Sequence, residues 1–457
     1  MKIPDDAAAE EDRMYESVLN AVFNTEKKDY PSYVGGVKIA SGRSFDVSSP
    51  IDRTIIFGRF QEPDEGLVDR AVEAAGEAYD LWSEVSPAER AGYFETANDY
   101  IKKQRYRLAG ILTLNTGMVR KDALEEVDRL IEIIDDACAF VREGECGDPA
   151  GVWGVITSYN SPLAAPMGFA ISAMIEGNTV VMIPSGLVPM PVYSLYNILE
   201  TVRLPAGVLN LIADRTDASA KALANSTELE GIAFSGSGEL AEDMMFMQMN
   251  EDLAFVNETK GMNPILVYKP ANMKEAARLV VDSMVLYSGQ RADATSKVVV
   301  TADESDAFQR ALLLELKSIK VGDPTEKETT MGPVISEKDL ERLLCAAESY
   351  RDNLLFGGKR LKGEFLGNGY FVTPAVFTGL PEEHDLNNMD NSLPVLSIQI
   401  ARDLEDAVEL INSSEFGVSA GIITKDESAA DFFLGNVLAE NVFINDSSRV
   451  VGTAPNV

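Results

Sequence analysis

The sequence predicts an α/β fold built on parallel sheets, and three observations support this prediction. Short β-rich runs alternate with helical segments in two blocks, one beginning at Gly151 and the other near Glu258. Strands that alternate with helices imply βαβ crossovers and therefore parallel strands. The chain has 457 residues, of which 46% are apolar, so it exceeds the size of one core and can fill two. We expect two domains, residues 1–256 and 257–445, with residues 446–457 returning toward the first.

The individual helices and strands follow from the spacing of apolar residues. Apolar positions three and four residues apart predict helices at residues 66–85, 90–115 and 122–141. Apolar runs that end at Gly, Pro or Ser predict the strands of the first block at residues 152–158, 179–183, 208–212 and 231–234. The same signal predicts the strands of the second block at residues 265–268, 296–301, 395–400 and 442–445.

The charge balance excludes several classes of partner. The chain has 40 Lys and Arg residues against 73 Asp and Glu residues, a formal net charge of −33. A polyanion is repelled by such a surface, so we expect binding neither to nucleic acid nor to an anionic membrane. No apolar run approaches the roughly 18 residues of a membrane span, and the N-terminus is acidic rather than cationic. We therefore expect a cytoplasmic protein.

Cysteine and histidine are too few and too far apart for several common sites. Cys138, Cys146 and Cys345 show no Cys-x-x-Cys spacing, so we predict neither a disulfide framework nor a metal site. His384 is the one histidine, and any Ser-His-Asp or Cys-His arrangement would have to use it. We interpret it as a surface-loop residue.

A glycine-containing segment, FSGSGE at residues 234–239, follows a predicted strand and opens a helix. Free N–H groups at such a helix end can bind phosphate. The segment lacks the Gly-x-Gly-x-x-Gly spacing of dinucleotide sites, so by itself it indicates a tight turn.

Several longer segments occur in an order that is specific to one family. They are GVITSYNSP at 154–162, GNTVVMIPS at 177–185, LPAGVLN at 204–210, ETKGMNP at 258–264 and GQRADATSK at 289–297. Together with the segment at 234–238, they resemble the aldehyde dehydrogenase superfamily over nearly the whole chain. The Gly-Gln-Arg-x-Asp-Ala motif at residues 289–294 and the INDS segment at residues 444–447 also resemble archaeal glyceraldehyde or glyceraldehyde-3-phosphate dehydrogenase-like members.

The resemblance implies two Rossmann-like α/β domains, a cofactor-type domain over residues 1–256 and a catalytic-type domain over 257–445. It also implies NAD or NADP as cofactor and a small-molecule aldehyde as substrate. In the family's chemistry a cysteine thiolate attacks the aldehyde, an amide holds the oxyanion and a glutamate activates water. Asn160 matches the amide, Glu258 the general base and Ala292 the position of the nucleophile. The resemblance places cofactor contacts at Ile156, Thr157, Ser185, Phe234, Ser237 and Asp390.

The chain departs from the family at residues that matter for this chemistry. A methyl group at Ala292 cannot attack a carbonyl. The lysine and the acidic residue that hold the adenosine ribose are replaced by Ile183 and Gly186, and Lys260 replaces a glycine beside the nicotinamide. The family's Glu-x-Phe-Gly-Pro segment corresponds to DNSLP at residues 390–394. Asp293 and Thr295 could be considered substitute nucleophiles, but no histidine is near to activate them.

Two segments of the family pattern are missing. Residues 144–150 replace a hairpin of roughly twenty residues and are too short for two ordinary strands. The sequence stops at Val457, before the family's C-terminal strand. Because both belong to the family's inter-subunit sheet, we expect an aldehyde dehydrogenase-like fold without the oligomerisation hairpin and C-terminal strand, and a monomer or an atypical dimer.

Three interpretations of the function follow. The first is a family member that is catalytically silent because of Ala292 and that has a ligand-binding, protein-partner or structural role. The second is an NAD(P)-dependent aldehyde dehydrogenase that carries a Cys-to-Ala change. The third is a hydrolase that uses Glu258 as its base. Glu258 could also simply pair with Lys260, and Asn160 could cap the turn after its strand.

Overall fold

The computed structural model describes residues 5–25, 28–247, 253–259, 261–388, 391–413 and 419–450. Helices and strands alternate along the chain as the sequence predicts, which confirms the α/β class. The strands are β1 Asp29–Tyr30, β2 Ser32–Val34, β3 Val37–Ile39, β4 Ser44–Ser48, β5 Ile56–Gln61, β6 Val152–Thr157, β7 Thr179–Ile183, β8 Leu209–Leu211, β9 Gly231–Gly236, β10 Ala254–Thr259, β11 Ile265–Val267, β12 Lys297–Thr301, β13 Leu354–Gly357, β14 Ala375–Thr378, β15 Val395–Ala401, β16 Ser419–Ile423 and β17 Asn441–Ile444.

The helices surround these strands. They are α1 Asp5–Thr25, α2 Leu67–Trp82, α3 Pro87–Lys103, α4 Arg105–Thr116, α5 Arg120–Arg142, α6 Ala164–Ile175, α7 Met190–Thr201, α8 Ala218–Ala224, α9 Gly238–Met247, α10 Met273–Met284, α11 Ala302–Leu316, α12 Glu337–Ser349, α13 Asp385–Asn388, α14 Leu404–Asn412 and α15 Glu427–Asn436. Short 3-10 helices span Leu286–Gly289, Arg351–Asn353 and Ser448–Val450. No helix in the described ranges combines the length and apolar character that crossing a bilayer requires.

The first large sheet has the order β10-β9-β6-β7-β8-β2-β3. Strands β10, β9, β6, β7 and β8 are parallel, and β2 pairs antiparallel with β8 and with β3. A small sheet, β1-β5-β4, lies outside it. The parallel order places the carboxyl ends of β6, β7, β9 and β10 on one edge, where α/β proteins usually bind ligands.

The second large sheet has the order β13-β14-β15-β12-β11-β16-β17. All its pairs are parallel except β13 with β14. The chain passes from the first sheet to the second between Thr259 and Ile265. The domain division at residue 256 stays a prediction; that boundary falls within β10.

Helix α5 is central because it packs against α3, α4 and α6. Its apolar positions, among them Ala123, Val127, Leu130 and Ile134, are fully buried in the largest core cluster. Burial of one such leucine or isoleucine side chain contributes about 1.5–3 kcal/mol. The same helix also buries the carboxylate side chain of Asp122, which has consequences for the site.

The single helix predicted for residues 90–115 is wrong, because the structure has two helices there. Gln104 has φ −103° and ψ 12°, which ends α3 and lets α4 start at Arg105. Helix α4 then ends at Gly117, whose φ is +80°. A Cβ atom at Gly117 would lie 2.6 Å from Cγ of Pro333, so both the left-handed backbone and the close contact require glycine here.

The segment between α5 and β6 confirms one part of the predicted fold. Residues 145–150 contain no strand, so the family hairpin is absent at this point. The last residues, 451–457, lie outside the described ranges. The sequence did not predict strands β1, β2, β5, β10, β13, β14 and β16.

Candidate active site

The predicted cofactor and base residues meet at the carboxyl edge of the first sheet. The strand register places Thr157 of β6 opposite Ser235 of β9, and Ser235 opposite Glu258 of β10. These three residues therefore lie side by side. Of the remaining predicted cofactor contacts, the edge also carries Ile156, Ser185, Phe234 and Ser237. Asp390 lies outside the described residues.

The hydroxyl groups at this edge are mostly used within the fold. Ser237 Oγ accepts a hydrogen bond from the Leu240 N–H at 3.3 Å, which caps the start of α9. Ser185 Oγ accepts from the Leu187 N–H at 3.4 Å. Thr157 Oγ1 is buried and has no hydrogen-bond partner among the described residues. Among Ser237, Ser185 and Thr157, only the Thr157 hydroxyl therefore lacks a hydrogen-bond partner within the described part of the chain.

The residues present do not fit the adenosine ribose of a dinucleotide in the way the family resemblance implies. Ile183 is 4% exposed and offers only an aliphatic side chain. A Cβ atom at Gly186 would lie 2.2 Å from the carbonyl oxygen of Asp214. The backbone therefore fills the space that an acidic side chain would need at position 186, and neither polar anchor can form here.

The loop that leads to Ala292 has an unusual backbone. Tyr287 and Ser288 have φ values of 47° and 56°, and Gly289 continues the left-handed run with φ 71°. Each non-glycine residue in this conformation costs about 1–3 kcal/mol and persists only where its surroundings hold it. A Cβ at position 289 would lie 2.3 Å from the carbonyl oxygen of Leu393. Ser288 Oγ donates to the carbonyl of Gly332 at 3.1 Å, so contacts on two sides hold the loop.

Asn160 binds this loop directly. Its Nδ2 donates to the main-chain carbonyl of Gln290, and its Oδ1 accepts from Ser158 Oγ at 2.8 Å. The Gln290 side chain is fixed as well, since Oε1 accepts from the Ile335 N–H at 2.8 Å and Nε2 donates to the Tyr287 carbonyl at 3.0 Å. The structure thus brings Asn160 to within two residues of Ala292, with one amide N–H bonded to the protein backbone.

Ala292 is partly exposed and carries no group that could attack a carbonyl. Its own main-chain carbonyl accepts from Asn263 Nδ2 at 2.7 Å. The same nitrogen lies 2.9 Å from the Gly261 carbonyl oxygen and 3.1 Å from that of Ala294. Asn263 therefore fixes the backbone on both sides of the position where the family has its thiol.

The residues that flank Ala292 form a buried ion pair. Asp293 Oδ1 lies 2.5 Å from Arg291 Nε, and Oδ2 lies 2.8 Å from Arg291 Nη2. Oδ2 also lies 3.4 Å from Arg129 Nη2. Burial raises the pKa of Asp293, but the two guanidinium groups outweigh burial and hold it below its ordinary value. A carboxylate that is 0% exposed and doubly paired cannot serve as a substitute nucleophile.

The pair extends into a larger ion-pair cluster. Arg291 Nη1 lies 3.1 Å from Glu125 Oε2. Arg449 then lies 2.5 Å from Glu125 and 2.7 Å from Asp122, and its other nitrogen lies 3.4 Å from Asp282. We use the name ion-pair cluster for Asp122, Glu125, Arg129, Asp282, Arg291, Asp293 and Arg449. It connects α5, the 291–293 loop, α10 and the 3-10 helix at Ser448–Val450.

Helix α5 supplies the site with one polar stripe, at positions 122, 125, 126 and 129. Glu126 belongs to the stripe but not to the ion-pair cluster. Its Oε1 accepts from Ser161 Oγ at 2.8 Å and from the N–H groups of Leu163 and Ala164 at 3.1 and 2.9 Å. Glu126 therefore caps α6 and fixes the turn that carries Asn160. Sequence analysis did not single out this stripe, although its i, i+3, i+4, i+7 spacing was visible.

Glu258 has the most perturbed carboxyl group at the sheet edge. Burial raises its pKa to about 7, an effect that Arg129 opposes and Glu440 reinforces. The field of Arg129 thus acts on both Glu258 and Asp293. Lys260, the partner considered for Glu258, lies outside the described residues.

No cysteine replaces the missing thiol. Cys138, Cys146 and Cys345 are free thiols on α5, on the segment before β6 and on α12. Burial raises the pKa of Cys138 to about 11, and the charges of Glu95 and Asp135 add to this effect. His384 is half-buried rather than exposed, and its ring packs edge-on against Tyr350 at 4.3 Å.

Comparison with known proteins agrees with the fold and with the motif order. The profile described as the aldehyde dehydrogenase family matches residues 37–455. The α-ketoglutaric semialdehyde dehydrogenase of Bacillus subtilis (strain 168) is 29% identical over 450 residues, which cover 93% of this chain and 92% of that enzyme. The α-ketoglutarate semialdehyde dehydrogenase of Haloferax volcanii is 29% identical over 437 residues, which cover 91% of this chain and 90% of that enzyme.

Solved structures give the same result. A 1-pyrroline-5-carboxylate dehydrogenase from Thermus with bound NAD superposes with a TM-score of 0.91 at 22% identity, covering 98% of this chain and 90% of that one. The NAD in that protein agrees with the cofactor that the resemblance implies for the family. From the profile match and the shared two-sheet architecture, we conclude that the chain belongs to the aldehyde dehydrogenase family.

Proposed function

We propose that this family member does not oxidise aldehydes through a thiol intermediate and that it has a ligand-binding, protein-partner or structural role. One observation carries the proposal: at the nucleophile position stands Ala292, and the residues on either side of it are joined in a buried ion pair. Covalent aldehyde oxidation needs a thiolate at this point. The loop is built around Arg291 and Asp293 instead.

The groups that would assist the reaction also support the proposal. Asn160 uses one amide N–H on the Gln290 carbonyl, so that N–H is not directed at an oxyanion. Ile183 and Gly186 offer no contact to a cofactor ribose. NAD or NADP is the cofactor of the lineage, but we derive no step through it here because these residues do not fit it.

Restoring the nucleophile tests the proposal. We expect Ala292→Cys to show no robust aldehyde-dependent formation of NADH or NADPH, because the cofactor anchors stay absent. Thiol titration of the folded variant verifies that the new cysteine is accessible, as the partial exposure of Ala292 predicts. Robust turnover by Ala292→Cys would instead support the second interpretation, an ordinary dehydrogenase with a Cys-to-Ala change.

A second candidate function, hydrolysis of a small ester or thioester, has one observation in its favour. A carboxyl group with a pKa of about 7 is well placed to act as a general base near neutral pH. Glu258 would take a proton from water while the hydroxyl adds to the acyl carbon. The acyl C–O or C–S bond would then break, and Glu258 would return the proton to the leaving oxygen or sulfur, so that an alcohol or thiol departs and Glu258 is a carboxylate again. Glu258→Gln should abolish such activity, and the exposed control Glu341→Gln should not. Activity that persists in Glu258→Gln would exclude this role.

The surface charge and the short segment before β6 also bear on the binding partners and the oligomeric state. We propose a small aldehyde or another metabolite, or a protein partner, as the binding partner, and neither nucleic acid nor membrane. We also propose a monomer or an atypical dimer, because no hairpin lies between α5 and β6. Light scattering that shows a tetramer would contradict the last of these.

A further inference from the structure

A cavity of about 440 Å³ lies between β1, β2, β3, α4 and α7. None of the predicted catalytic or cofactor residues lines it. Its volume is within the usual range for small-molecule sites. We call it the α4/α7 cavity.

The charge around the α4/α7 cavity is opposite to that of the chain as a whole. Three cationic side chains, Lys28, Lys38 and Arg107, line it together with one acid, Asp29. Over the whole chain, 73 acidic residues outnumber 40 Lys and Arg residues. Three cations and one acid on the same concave surface give it a net positive charge, which attracts anions.

Arg107 is the most enclosed of these cations. Burial lowers the pKa of its guanidinium group, which means that the charged form has lost part of its hydration. A guanidinium group carries five N–H donors, so Arg107 can add charge-assisted hydrogen bonds to an anion in the α4/α7 cavity. Lys28 and Lys38 are exposed at the rim, where they can approach a ligand from the solvent side.

The aromatic wall of the cavity is rigid. Tyr30 stacks on Phe60 at 4.8 Å between ring centroids and meets the edge of Tyr193 at 5.4 Å. Tyr33 packs on Tyr196 at 4.1 Å. Because these rings are packed on each other before any ligand arrives, little ordering is needed on binding.

Helix α7 adds neutral hydrogen-bonding groups. Asn197 Nδ2 donates one hydrogen bond to the Tyr193 carbonyl at 2.9 Å, and an amide nitrogen carries a second N–H. Ser194 Oγ donates to the Met190 carbonyl at 3.0 Å, so its single O–H is used within the helix and Asn197 is the neutral donor on this face. The cavity thus combines cations with a polar helix face.

We propose that the α4/α7 cavity binds a small phosphate-bearing molecule, with Arg107, Lys38 and Lys28 around the phosphate. A phosphate carries close to two negative charges and three acceptor oxygens, which matches three cations in the lining better than a single carboxylate does. The cavity is larger than a phosphate group, so it has room for the organic part of an ester. The site is separate from the proposed loss of dehydrogenase chemistry and does not depend on it.

Calorimetric titration of the full chain with inorganic phosphate and with pyrophosphate, at constant ionic strength in chloride, tests the proposal. We expect saturable binding at one site. Lys38→Gln and Arg107→Gln should each weaken binding by about tenfold or more, as expected for loss of a hydrogen bond to a charged group. The exposed control Lys274→Gln removes the same charge at a distant helix and should leave binding unchanged.

Several outcomes would overturn the proposal. They are the absence of saturable binding, unchanged binding in Lys38→Gln, and equal weakening in Lys274→Gln. If Arg107→Gln fails to fold, the exposed Lys38 still decides the question. Binding of citrate without binding of phosphate would reject the phosphate assignment. Binding to vesicles that contain a phosphoinositide, without binding to inorganic phosphate, would reject a free metabolite as the ligand.

Discussion

The carboxylate of Asp293 and the guanidinium of Arg291 make a two-point contact across Ala292, at 2.5 and 2.8 Å. Both side chains are almost fully buried, with exposures of 0% and 3%. Removing two ions from water costs several kcal/mol each, and their pairing offsets this cost only when both partners are present. The position of the family nucleophile therefore lies between two members of the ion-pair cluster.

Asp293→Asn should destabilise the protein strongly, because Arg291 and Arg129 would lose a buried partner. We expect a loss of about 3–5 kcal/mol in the free energy of unfolding at neutral pH. Since the pKa of Asp293 is depressed in the folded state, this stabilisation is present above the ordinary carboxyl pKa. It is lost as pH falls through the folded-state value.

Urea unfolding of Asp293→Asn beside Asp243→Asn measures this effect. Asp243 pairs with Lys221 at 3.1 Å, and the two side chains are 49% and 38% exposed. Loss of such a surface pair should cost less than about 1 kcal/mol. If the two variants were destabilised equally, Asp293 would not have the structural role described.

Glu258 should make the folded state less stable as pH rises. Its pKa is about 7 in the folded chain against an ordinary 4.5, so between these values the folded chain holds a proton that the unfolded chain has lost. The free energy of unfolding then falls with rising pH, by up to about 3 kcal/mol from this group. Glu258→Gln removes the effect, and its advantage over the unmodified chain should grow from about pH 5 to about pH 8.

Denaturation curves at both pH values check this, with Glu341→Gln as an exposed control. Parallel pH profiles for the unmodified chain and Glu258→Gln would show that the carboxyl is not held in a desolvated position. The second candidate function would then lose its main support.

The cofactor anchors can be tested without any thiol chemistry. Calorimetric titration with NAD⁺ and with NADP⁺ should give no detectable binding, because Ile183 provides no hydrogen bond and position 186 has no room for an acid. Binding in the ordinary micromolar range would show that the cleft is maintained. It would favour a Cys-to-Ala dehydrogenase or a cofactor-sensing role.

Gly186→Ala should be destabilising, since its Cβ would lie 2.2 Å from a backbone oxygen. We expect a loss of roughly 1–3 kcal/mol, as for overpacking elsewhere. Gly238→Ala is the matched control, because no atom lies within 4 Å of a Cβ built there. Thermal unfolding compares the two. If Gly186→Ala were as stable as Gly238→Ala, position 186 would be open and an acidic anchor could stand there.

Much of the fold was predictable because parallel strands are marked by local signals. The apolar runs at 179–183 and 395–399 are buried on both faces, and each strand lies within one residue of its prediction. The break at Gln104 was not predictable, because residues 90–115 keep helical periodicity across it. Strand β16 was missed although Ser419, Ala420 and Gly421 are all buried in it, since small residues there gave no β-rich signal.

The site was predictable only where family motifs marked it. Asn160, Glu258 and Ala292 were assigned through such motifs, and their functional roles stay predictions. The polar stripe on α5 was not identified from the sequence. In a chain with 73 acidic residues, its one Asp and two Glu residues look like part of an ordinary solvent-exposed helix face. Arg449 lies 324 residues from Glu125 in sequence, and no local pattern could join them.

The most direct test of the central claim is aldehyde-dependent reduction of NAD⁺ or NADP⁺ by the unmodified chain. The substrates should include α-ketoglutarate semialdehyde and 1-pyrroline-5-carboxylate, because relatives are named for them. We predict no formation of NADH or NADPH above that of a protein-free control. Saturable formation that scales with the amount of protein and requires the aldehyde would contradict the account.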